Sequence, residues 1–179
     1  MSLRRFHGKR RDWLSVCILL AVVGTSCSEP GDGRSAGGIK PEPAPEFSLP
    51  TLSGEIVTLA SLRGKTVVID FWATWCAPCE FQIPVLNEFY AAHREAGDVE
   101  VLGISVDEDS GEEVKAWTEE RGVTYPILMG DDALARRYGA VGFPALAIVS
   151  PQGEIVVRHM GVVDMETLEA GLSRNRAGS

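Results

Sequence analysis

Trp75-Cys76-Ala77-Pro78-Cys79 is the stretch that decides the fold, because it joins a run of strand-forming residues to a helical pattern. Thr66 to Trp72 is rich in β-branched and aromatic residues and predicts a buried strand. Pro78, followed by the pattern of Glu80 to Tyr90, predicts the start of a helix. Cys76 would then lie at a helix N-terminus, where free N–H groups and the helix dipole favour a thiolate over a thiol.

The spacing of the two cysteines lets their thiols close a small disulfide ring and reopen it. Because the thiolate is the attacking species in disulfide exchange, a lowered pKa of the Cys76 thiol would matter at neutral pH. Cys79 lies one helical turn further in and is predicted to be less exposed. We therefore interpret the pair as a redox centre in which Cys76 attacks and Cys79 resolves.

Three other interpretations of this pair compete with redox chemistry. A structural disulfide across two residues would add little loop-closure stability. A zinc half-site would need a second Cys or His pair at similar spacing, which His93, His159 and the remaining cysteines do not supply. A copper-type site stays open, because two thiolates and one distant His suit a soft metal.

The N-terminal segment predicts export. Five basic residues lie in the first 11 positions, an apolar run from Trp13 to Val23 follows, and Gly24-Thr25-Ser26 are small. The apolar run is too short to cross a bilayer core, which takes about 20 residues in a helix. Residues 1–26 are therefore predicted to be a signal peptide rather than a membrane anchor.

Cys27 directly follows those small residues, which resembles a bacterial lipoprotein processing site. In that case Cys27 becomes the lipid-modified N-terminus and tethers the protein to a membrane. Gly24 departs from the bulky aliphatic residue usual at its position, so ordinary signal cleavage is the alternative. Both routes predict the cell envelope of a bacterium.

Charge argues against nucleic acid as a partner. Without residues 1–26 the chain carries 12 basic and 24 acidic residues, a net charge of -12. Such a domain repels phosphate backbones.

The rest of the chain divides into a linker and one domain. Residues 28–45 are rich in Pro and Gly with almost no large apolar residue, which predicts a flexible linker. Residues 46–176 are predicted to fold as an α/β sandwich with a central mixed sheet. Its predicted elements are a hairpin across Ser53-Gly54, a helical turn at 59–64, strands at 66–72 and 99–106, a long helix to about Ala96 kinked at Pro84, helices at 110–121 and 131–138, a hairpin of 145–149 with 155–159, and a last helix at 164–174.

Several motifs, at characteristic spacings along the chain, resemble those of a known protein family. Asp70 to Cys79, then Pro84, then Tyr138 to Pro144, and Gly161 look like thioredoxin's landmarks in thioredoxin's order. The leader, the N-terminal hairpin and an extra helical segment between the Val99 strand and Phe143 resemble the exported TlpA/ResA-like branch. The resemblance covers roughly residues 44–176 and implies a thioredoxin-like three-layer sandwich with a hairpin extension and a helical insertion.

The resemblance also implies roles for individual residues. Cys76 matches the attacking cysteine and Cys79 the resolving cysteine. Pro144 matches the cis-proline that lies beside the disulfide and leaves a neighbouring backbone edge free for substrate. Trp75, Pro78 and Phe143 would complete the substrate-binding surface, with plain packing as the alternative role for Trp75.

Asp70 is the most informative residue after the cysteines. An acid inside so apolar a strand is expected to be buried, and burial without a partner raises the pKa of a carboxyl group towards neutrality. Asp70 could then accept the proton of Cys79 during resolution. Thioredoxin has an acid at this position, whereas many TlpA/ResA-like proteins have Asn. A buried Asp satisfied by backbone groups, with no catalytic part, is the alternative.

Two features depart from the TlpA/ResA-like pattern. That pattern often has a basic residue directly after the second cysteine and a glutamate three positions after it, whereas this chain has Glu80 and Gln82. A negative charge near the motif raises the pKa of a thiol. Phe143 is also bulky for the position before the cis-proline and is expected to narrow the substrate groove.

The sequence thus predicts an exported thiol-disulfide oxidoreductase that needs no cofactor or metal. The resemblance implies a reductant of protein disulfides, for example in cytochrome c maturation, regenerated by a membrane electron donor protein. A dithiol oxidase or isomerase would use the same residues. A copper-binding chaperone is a further alternative. A peroxidase of the peroxiredoxin type normally has Thr where this chain has Ala73.

Overall fold

The structure is a computed structural model that describes residues 42–108 and 111–177. Within these ranges the chain forms eight strands, four α-helices and two 3-10 helices. The strands are β1 (Glu42–Pro43), β2 (Ser48–Pro50), β3 (Ile56–Thr58), β4 (Thr66–Trp72), β5 (Val99–Ser105), β6 (Ile127–Met129), β7 (Ala145–Val149) and β8 (Glu154–Met160). The α-helices are α1 (Ile83–His93), α2 (Gly111–Glu120), α3 (Asp132–Arg137) and α4 (Met165–Ala177), and the 3-10 helices are Leu59–Leu62 and Ala77–Gln82.

Six strands form one mixed sheet in the order β1-β8-β7-β4-β5-β6. The pairs β4–β5 and β5–β6 are parallel, whereas β7 pairs antiparallel with both β4 and β8. All seven residues of β4 are buried, as expected for a strand covered on both faces, whose sequence is apolar without alternation. The predicted arrangement, with parallel strands first and a closing antiparallel hairpin, is confirmed.

Helices cover both faces of the sheet, which makes three layers. Alternate residues of a strand point to opposite faces. On one face of β4, Trp72 stacks on Trp117 of α2, and Thr66 accepts a hydrogen bond from Asn175 of α4. On the other face, Phe71 packs against Tyr138, which ends α3.

The predicted hairpin across Ser53-Gly54 is also confirmed, with β2 paired antiparallel to β3. Thr51 forms an antiparallel bridge with Leu128 of β6, and the N–H of Leu52 donates to the carbonyl of Ile127. The hairpin therefore covers the outer edge of β6.

The predicted domain boundary at residue 46 is wrong by four residues. Glu42 and Pro43 pair with Ile155 and Glu154 of β8. Ala44 is buried, and the Tyr138 hydroxyl donates to the carbonyl of Pro45 at 2.7 Å. Residues 42–45 therefore belong to the domain rather than to the linker. Their two prolines, Pro43 and Pro45, give this segment the composition of a linker.

The long helix after the cysteines also differs from its prediction. Ala77–Gln82 is a 3-10 helix, and the α-helix begins only at Ile83, with Pro84 in its first turn. A proline is well placed there, because the N–H groups of the first turn have no partner inside the helix. Pro84 therefore starts α1 instead of kinking it, and α1 ends at His93 rather than near Ala96.

Strand β6 has no counterpart among the predictions, so the insertion after β5 contains a strand as well as helix α2. Three apolar residues are too few to show a strand period. The predicted signal peptide, Cys27 and the first part of the linker lie outside the described residues. In the described ranges, no helix combines the length and apolarity needed to span a membrane.

Gly103 provides a test of the packing between β4 and the insertion. A Cβ atom there would lie 2.6 Å from Ile127 Cδ1 and 3.0 Å from both Trp72 Nε1 and Tyr125 Cε2. We expect Gly103→Ala to lower the free energy of unfolding by about 1–3 kcal/mol through overpacking. Gly142→Ala is the control, because nothing lies within 4 Å of its Cβ. Urea unfolding of both variants measures the difference, and equal stabilities would contradict the packing described.

Candidate redox site

Cys76 and Cys79 form a disulfide at the start of the 3-10 helix, with an S–S distance of 2.02 Å. Cys76 caps this helix in an extended conformation. Its N–H donates to the carbonyl of Ala73, and the N–H of Cys79 donates to the carbonyl of Cys76. Cys76 is 6% exposed and Cys79 2% exposed, in the predicted order. The structure thus confirms that this pair can close a disulfide.

Asp107 fixes the loop that leads from β4 to Cys76. Its carboxylate accepts hydrogen bonds from the N–H of Thr74, at 3.0 and 3.2 Å to the two oxygens, and from the Thr74 hydroxyl at 2.6 Å. The Ser105 hydroxyl donates to the same carboxylate at 2.6 Å. Asp107 is 6% exposed, so its buried carboxylate accepts four hydrogen bonds, three of them from Thr74, which lies two residues before Cys76.

The peptide bond between Phe143 and Pro144 is cis, as the resemblance implies. The Pro144 carbonyl accepts a hydrogen bond from the N–H of Gly161 at 2.8 Å. Phe143 contacts Trp75 edge to face, with ring centroids 5.8 Å apart. These two rings join the residue before Cys76 to the residue before Pro144, so the two predicted halves of the site lie together.

A groove of about 480 Å³ opens beside this aromatic pair. Trp75 and Phe143 line it together with Val106 and three acidic residues: Asp107, Glu108 and Asp132. Trp75 is 68% exposed, so most of its indole faces solvent rather than the core. The exposed indole therefore leaves apolar surface next to the groove.

Asp70 is buried in the middle of β4, 2% exposed, and its Oδ1 has no hydrogen-bond partner. Burial raises the pKa of its carboxyl group well above the usual value. Burial, together with the charge of Asp70, also raises the pKa of the Tyr125 hydroxyl. The expectation of a buried acid is confirmed, whereas a carboxylate fully satisfied by backbone groups does not fit the free oxygen.

The two residues that depart from the TlpA/ResA-like pattern have distinct partners. Gln82 is 1% exposed, accepts a hydrogen bond from the N–H of Val163 at 2.7 Å, and donates to its carbonyl at 3.3 Å. Glu80 is half exposed and pairs with Arg121 at 3.0 Å. Gln82 therefore ties the 3-10 helix to the segment before α4, and Glu80 ties it to the end of α2.

Several residues at the site were missed by sequence reasoning. Asp107 follows an apolar strand, and an acid there carries no signal of its partner 33 positions earlier. Tyr125 is distant from Asp70 in the sequence and approaches it only in the folded protein. Three exposed apolar side chains lie close to motif residues, and their exposure could not be read from the sequence: Phe81, Val141 and Val162.

The sheet order, the cis-proline and the adjacent cysteine pair define the class of thioredoxin-like proteins. The model of the AhpC/TSA family matches residues 41–158. YneN of Bacillus subtilis, a thioredoxin-like protein, is 28% identical over 165 residues, which cover 90% of this chain and 97% of that protein. The thiol-disulfide oxidoreductase ResA of Geobacillus kaustophilus is 34% identical over 130 residues, covering 72% of this chain and 74% of the relative.

Solved structures agree with these sequence relatives. The crystal structure of a putative thiol:disulfide interchange protein DsbE from Chlorobium tepidum matches with a TM-score of 0.69 at 27% identity, covering 78% of this chain and 99% of that chain. The chain belongs to the AhpC/TSA family and, within its thioredoxin-like members, is a thiol-disulfide oxidoreductase. The resemblance to ResA-like proteins is confirmed.

The titration of Asp70 makes a prediction about stability. The folded state holds the Asp70 proton to higher pH than the unfolded state, so the free energy of unfolding falls as pH rises from the unfolded pKa near 4 to the raised folded pKa. The fall is at most about 1.4 kcal/mol per pH unit. We expect oxidised Asp70→Asn to lack this component and to be more stable than the unaltered protein at pH 8.

Urea unfolding between pH 5 and pH 8 measures this component. Asp131→Asn is the matched control, because it also removes one carboxylate, from an exposed N-cap that Asn serves equally well. Its pH dependence should follow that of the unaltered protein. If the free energy of unfolding of Asp70→Asn fell with pH as steeply as that of Asp131→Asn, the raised pKa of Asp70 would be contradicted.

Proposed function

We propose that the protein is an exported reductant of protein disulfides that works through a dithiol–disulfide cycle of Cys76 and Cys79. The observation that carries this proposal is the disulfide between these residues, next to an aromatic pair that joins Cys76 to Pro144. The direction of electron flow, the export of the protein and the roles of its individual residues are parts of this proposal.

The reaction begins with the dithiol form. The Cys76 thiolate attacks one sulfur of a substrate disulfide, which forms a mixed disulfide and releases the first substrate thiolate. Cys79 then loses its proton and attacks Cys76 Sγ, which closes the Cys76–Cys79 disulfide and releases the second substrate thiolate. Both leaving thiolates take up protons, and two electrons pass from the enzyme to the substrate. A membrane electron donor protein reduces the pair again.

Asp70 is proposed as the base of the second step. Its free Oδ1 and raised pKa suit a group that takes a proton near neutral pH. The interior position of the less exposed cysteine, Cys79, supports transfer to this buried acid rather than to bulk water. The acid then loses the proton once the substrate has left.

The surface around the disulfide supports a protein substrate. Trp75, Phe81 and Val141 are each more than two-thirds exposed, and apolar side chains beside a reactive centre favour docking of a partner. Pro78, Phe143 and Pro144 are proposed to contact the substrate chain together with Trp75. Phe143 forms one wall of the groove, which supports its proposed narrowing of that groove.

The proposed location is the bacterial cell envelope. The basic and apolar leader of residues 1–26 and the small residues before Cys27 support export, with lipid attachment at Cys27 as a membrane tether. An envelope reductant acting on disulfides, for example on the cysteines of apocytochrome c, fits this location. The acidic charge of the exported chain supports a role away from nucleic acid.

A dithiol oxidase or isomerase would use the same residues and is the second candidate. One structural neighbour, the solution structure of a putative protein disulfide isomerase from Bacteroides thetaiotaomicron, favours this candidate, with a TM-score of 0.66 at 29% identity. It would need a reduction potential well above the roughly -270 mV of thioredoxin. A copper-binding chaperone that uses the same two cysteines would retain the metal through gel filtration and would lack insulin-reductase activity.

Trapping tests the proposed function directly. In full-length Cys79→Ser, the mixed disulfide at Cys76 cannot be resolved, so we expect a defined set of disulfide-linked partners in the envelope fraction of the native cell. Non-reducing gels and mass spectrometry identify them, and Cys76→Ser is the control that should trap none. A trap that stays empty while metal co-purifies would contradict the enzyme assignment.

The role of Asp70 predicts an unequal effect on the two steps. We expect Asp70→Asn to slow resolution by about 10-fold or more, because general base catalysis contributes at least that much, and to change the initial attack much less. Stopped-flow fluorescence of single turnovers separates the steps, with Cys79→Ser giving the attack alone. Equal slowing of both steps would show that Asp70 is not the base.

A further inference from the structure

Glu80 adds a negative charge to the short 3-10 helix that carries Cys79 and is capped by Cys76. It follows Cys79 directly and lies in the first turn of the 3-10 helix that Cys76 caps. A carboxylate near a thiol disfavours the thiolate, because the two negative charges repel each other. Since attack needs the thiolate, an unpaired Glu80 would oppose the chemistry proposed above.

Arg121 holds this carboxylate. Its Nη2 donates to Glu80 Oε1 at 3.0 Å, although the two residues lie 41 positions apart. Its Nη1 donates to Glu120 Oε2 at 2.9 Å. One guanidinium group therefore pairs with two acids, one beside the disulfide and one on α2. In the described part of the chain, no other cation forms an ion pair with Glu80.

The position of Arg121 is fixed by its own packing. The guanidinium carbon lies 4.1 Å from the centroid of the Trp117 ring, and this ring stacks on Trp72 with centroids 4.7 Å apart. The Arg121 side chain is 27% exposed, compared with 45% for Glu80. A cation held over an aromatic face loses less freedom on pairing than a mobile surface side chain, which makes the ion pair more effective.

The backbone after Arg121 is anchored as well. Asn87 of α1 donates to the carbonyl of Gly122 at 2.8 Å and accepts hydrogen bonds from the N–H and hydroxyl of Thr124 at 2.9 and 2.8 Å. Helix α1 directly continues the 3-10 helix of the motif. The guanidinium and its target are therefore held by neighbouring segments.

Further acidic side chains lie around the site. Asp107 holds Thr74, and Glu108 and Asp132 line the groove beside Trp75, where Arg136 pairs with Asp132. Asp70 lies in the strand before the motif, and its raised pKa keeps this acid protonated to higher pH than an ordinary carboxyl group. Removal of the charge of Arg121 would leave Glu80 to add to this negative field.

We propose that Arg121 is a positioning residue of the redox site, which holds the Glu80 carboxylate in an ion pair and so keeps its charge from opposing the Cys76 thiolate. This role rests on the proposed function of Cys76 as the attacking group. It assigns a task in the reaction to the residue that follows helix α2, in the insertion rather than in the segment that carries the cysteines. It also explains how the chain accommodates an acid directly after its second cysteine.

The test measures the Cys76 thiolate in reduced protein by absorbance at 240 nm as a function of pH, in a Cys79→Ser background. We expect Arg121→Gln to raise the thiol pKa by about half a unit or more and Glu80→Gln to lower it. In the presence of Glu80→Gln, Arg121→Gln should cause less than half of its original shift, because its partner is absent. In protein that keeps both cysteines, the reduction potential against glutathione should fall in Arg121→Gln, since the dithiol form is less stabilised.

Matched variants separate this role from general effects of charge and folding. Glu120→Gln removes the other acid paired with Arg121 and should leave the thiol pKa within about 0.2 units. Arg121→Lys, which keeps the charge, should leave the thiol pKa close to that of the unaltered protein. If Arg121→Gln does not fold, the lowered thiol pKa of Glu80→Gln tests the proposal. Equal shifts from Arg121→Gln with and without Glu80, or no shift at all, would overturn the proposal.

Failure of the proposed function would show in a different measurement. Insulin reduction by the unaltered protein tests whether the cysteine pair reduces protein disulfides at all. The thiolate titration reports on Glu80 and Arg121 whether or not turnover occurs. If the protein is inactive on insulin but shows the expected shifts of the thiol pKa, the role of the ion pair stands and the proposed reductase function fails. If it reduces insulin but shows no shifts, the reductase function stands and the role of the ion pair fails.

Discussion

Main-chain pairing of β4, with β5 on one side and β7 on the other, is the constraint on which the site depends. Because β4 and β5 are parallel, their carboxyl ends meet at one edge of the sheet, and Asp107 after β5 can hold Thr74 after β4. Because β7 is antiparallel to β4, it begins at that same edge, directly after Pro144. Backbone pairing therefore brings the ends of three distant segments together at the disulfide.

Much of this arrangement could be predicted from the sequence. β4 combines β-branched and aromatic residues with full burial, so its pattern is unambiguous, and Asp131 and Asp164 are strong helix caps that each accept a hydrogen bond from a backbone N–H three residues later. The strands β1 and β6 could not be found, because two or three residues show no period. The bond from Asp107 to Thr74 and the pairing of Glu80 with Arg121 depend on tertiary geometry, and an exposed-looking acid gives no sign of its partner.

The interior behind the site departs from the usual rule that buried polar atoms have partners. Asp70 Oδ1 and Trp72 Nε1 are both buried without one, and both residues point to the face of β4 that lies beside Gly103 and Tyr125. A free carboxylate oxygen is costly in such surroundings. Its presence two residues before the end of the central strand is consistent with a group kept for proton transfer rather than for stability, and a local conflict of this kind is typical of functional sites.

The β2–β3 hairpin limits edge-to-edge association of the main sheet with other chains. An open sheet edge presents unpaired N–H and C=O groups that can recruit a strand from a second molecule. Thr51 and Leu52 occupy these groups along β6, and β1 occupies part of the opposite edge on β8. The short N-terminal strands thus leave fewer unpaired backbone groups at the sheet edges for pairing with another chain.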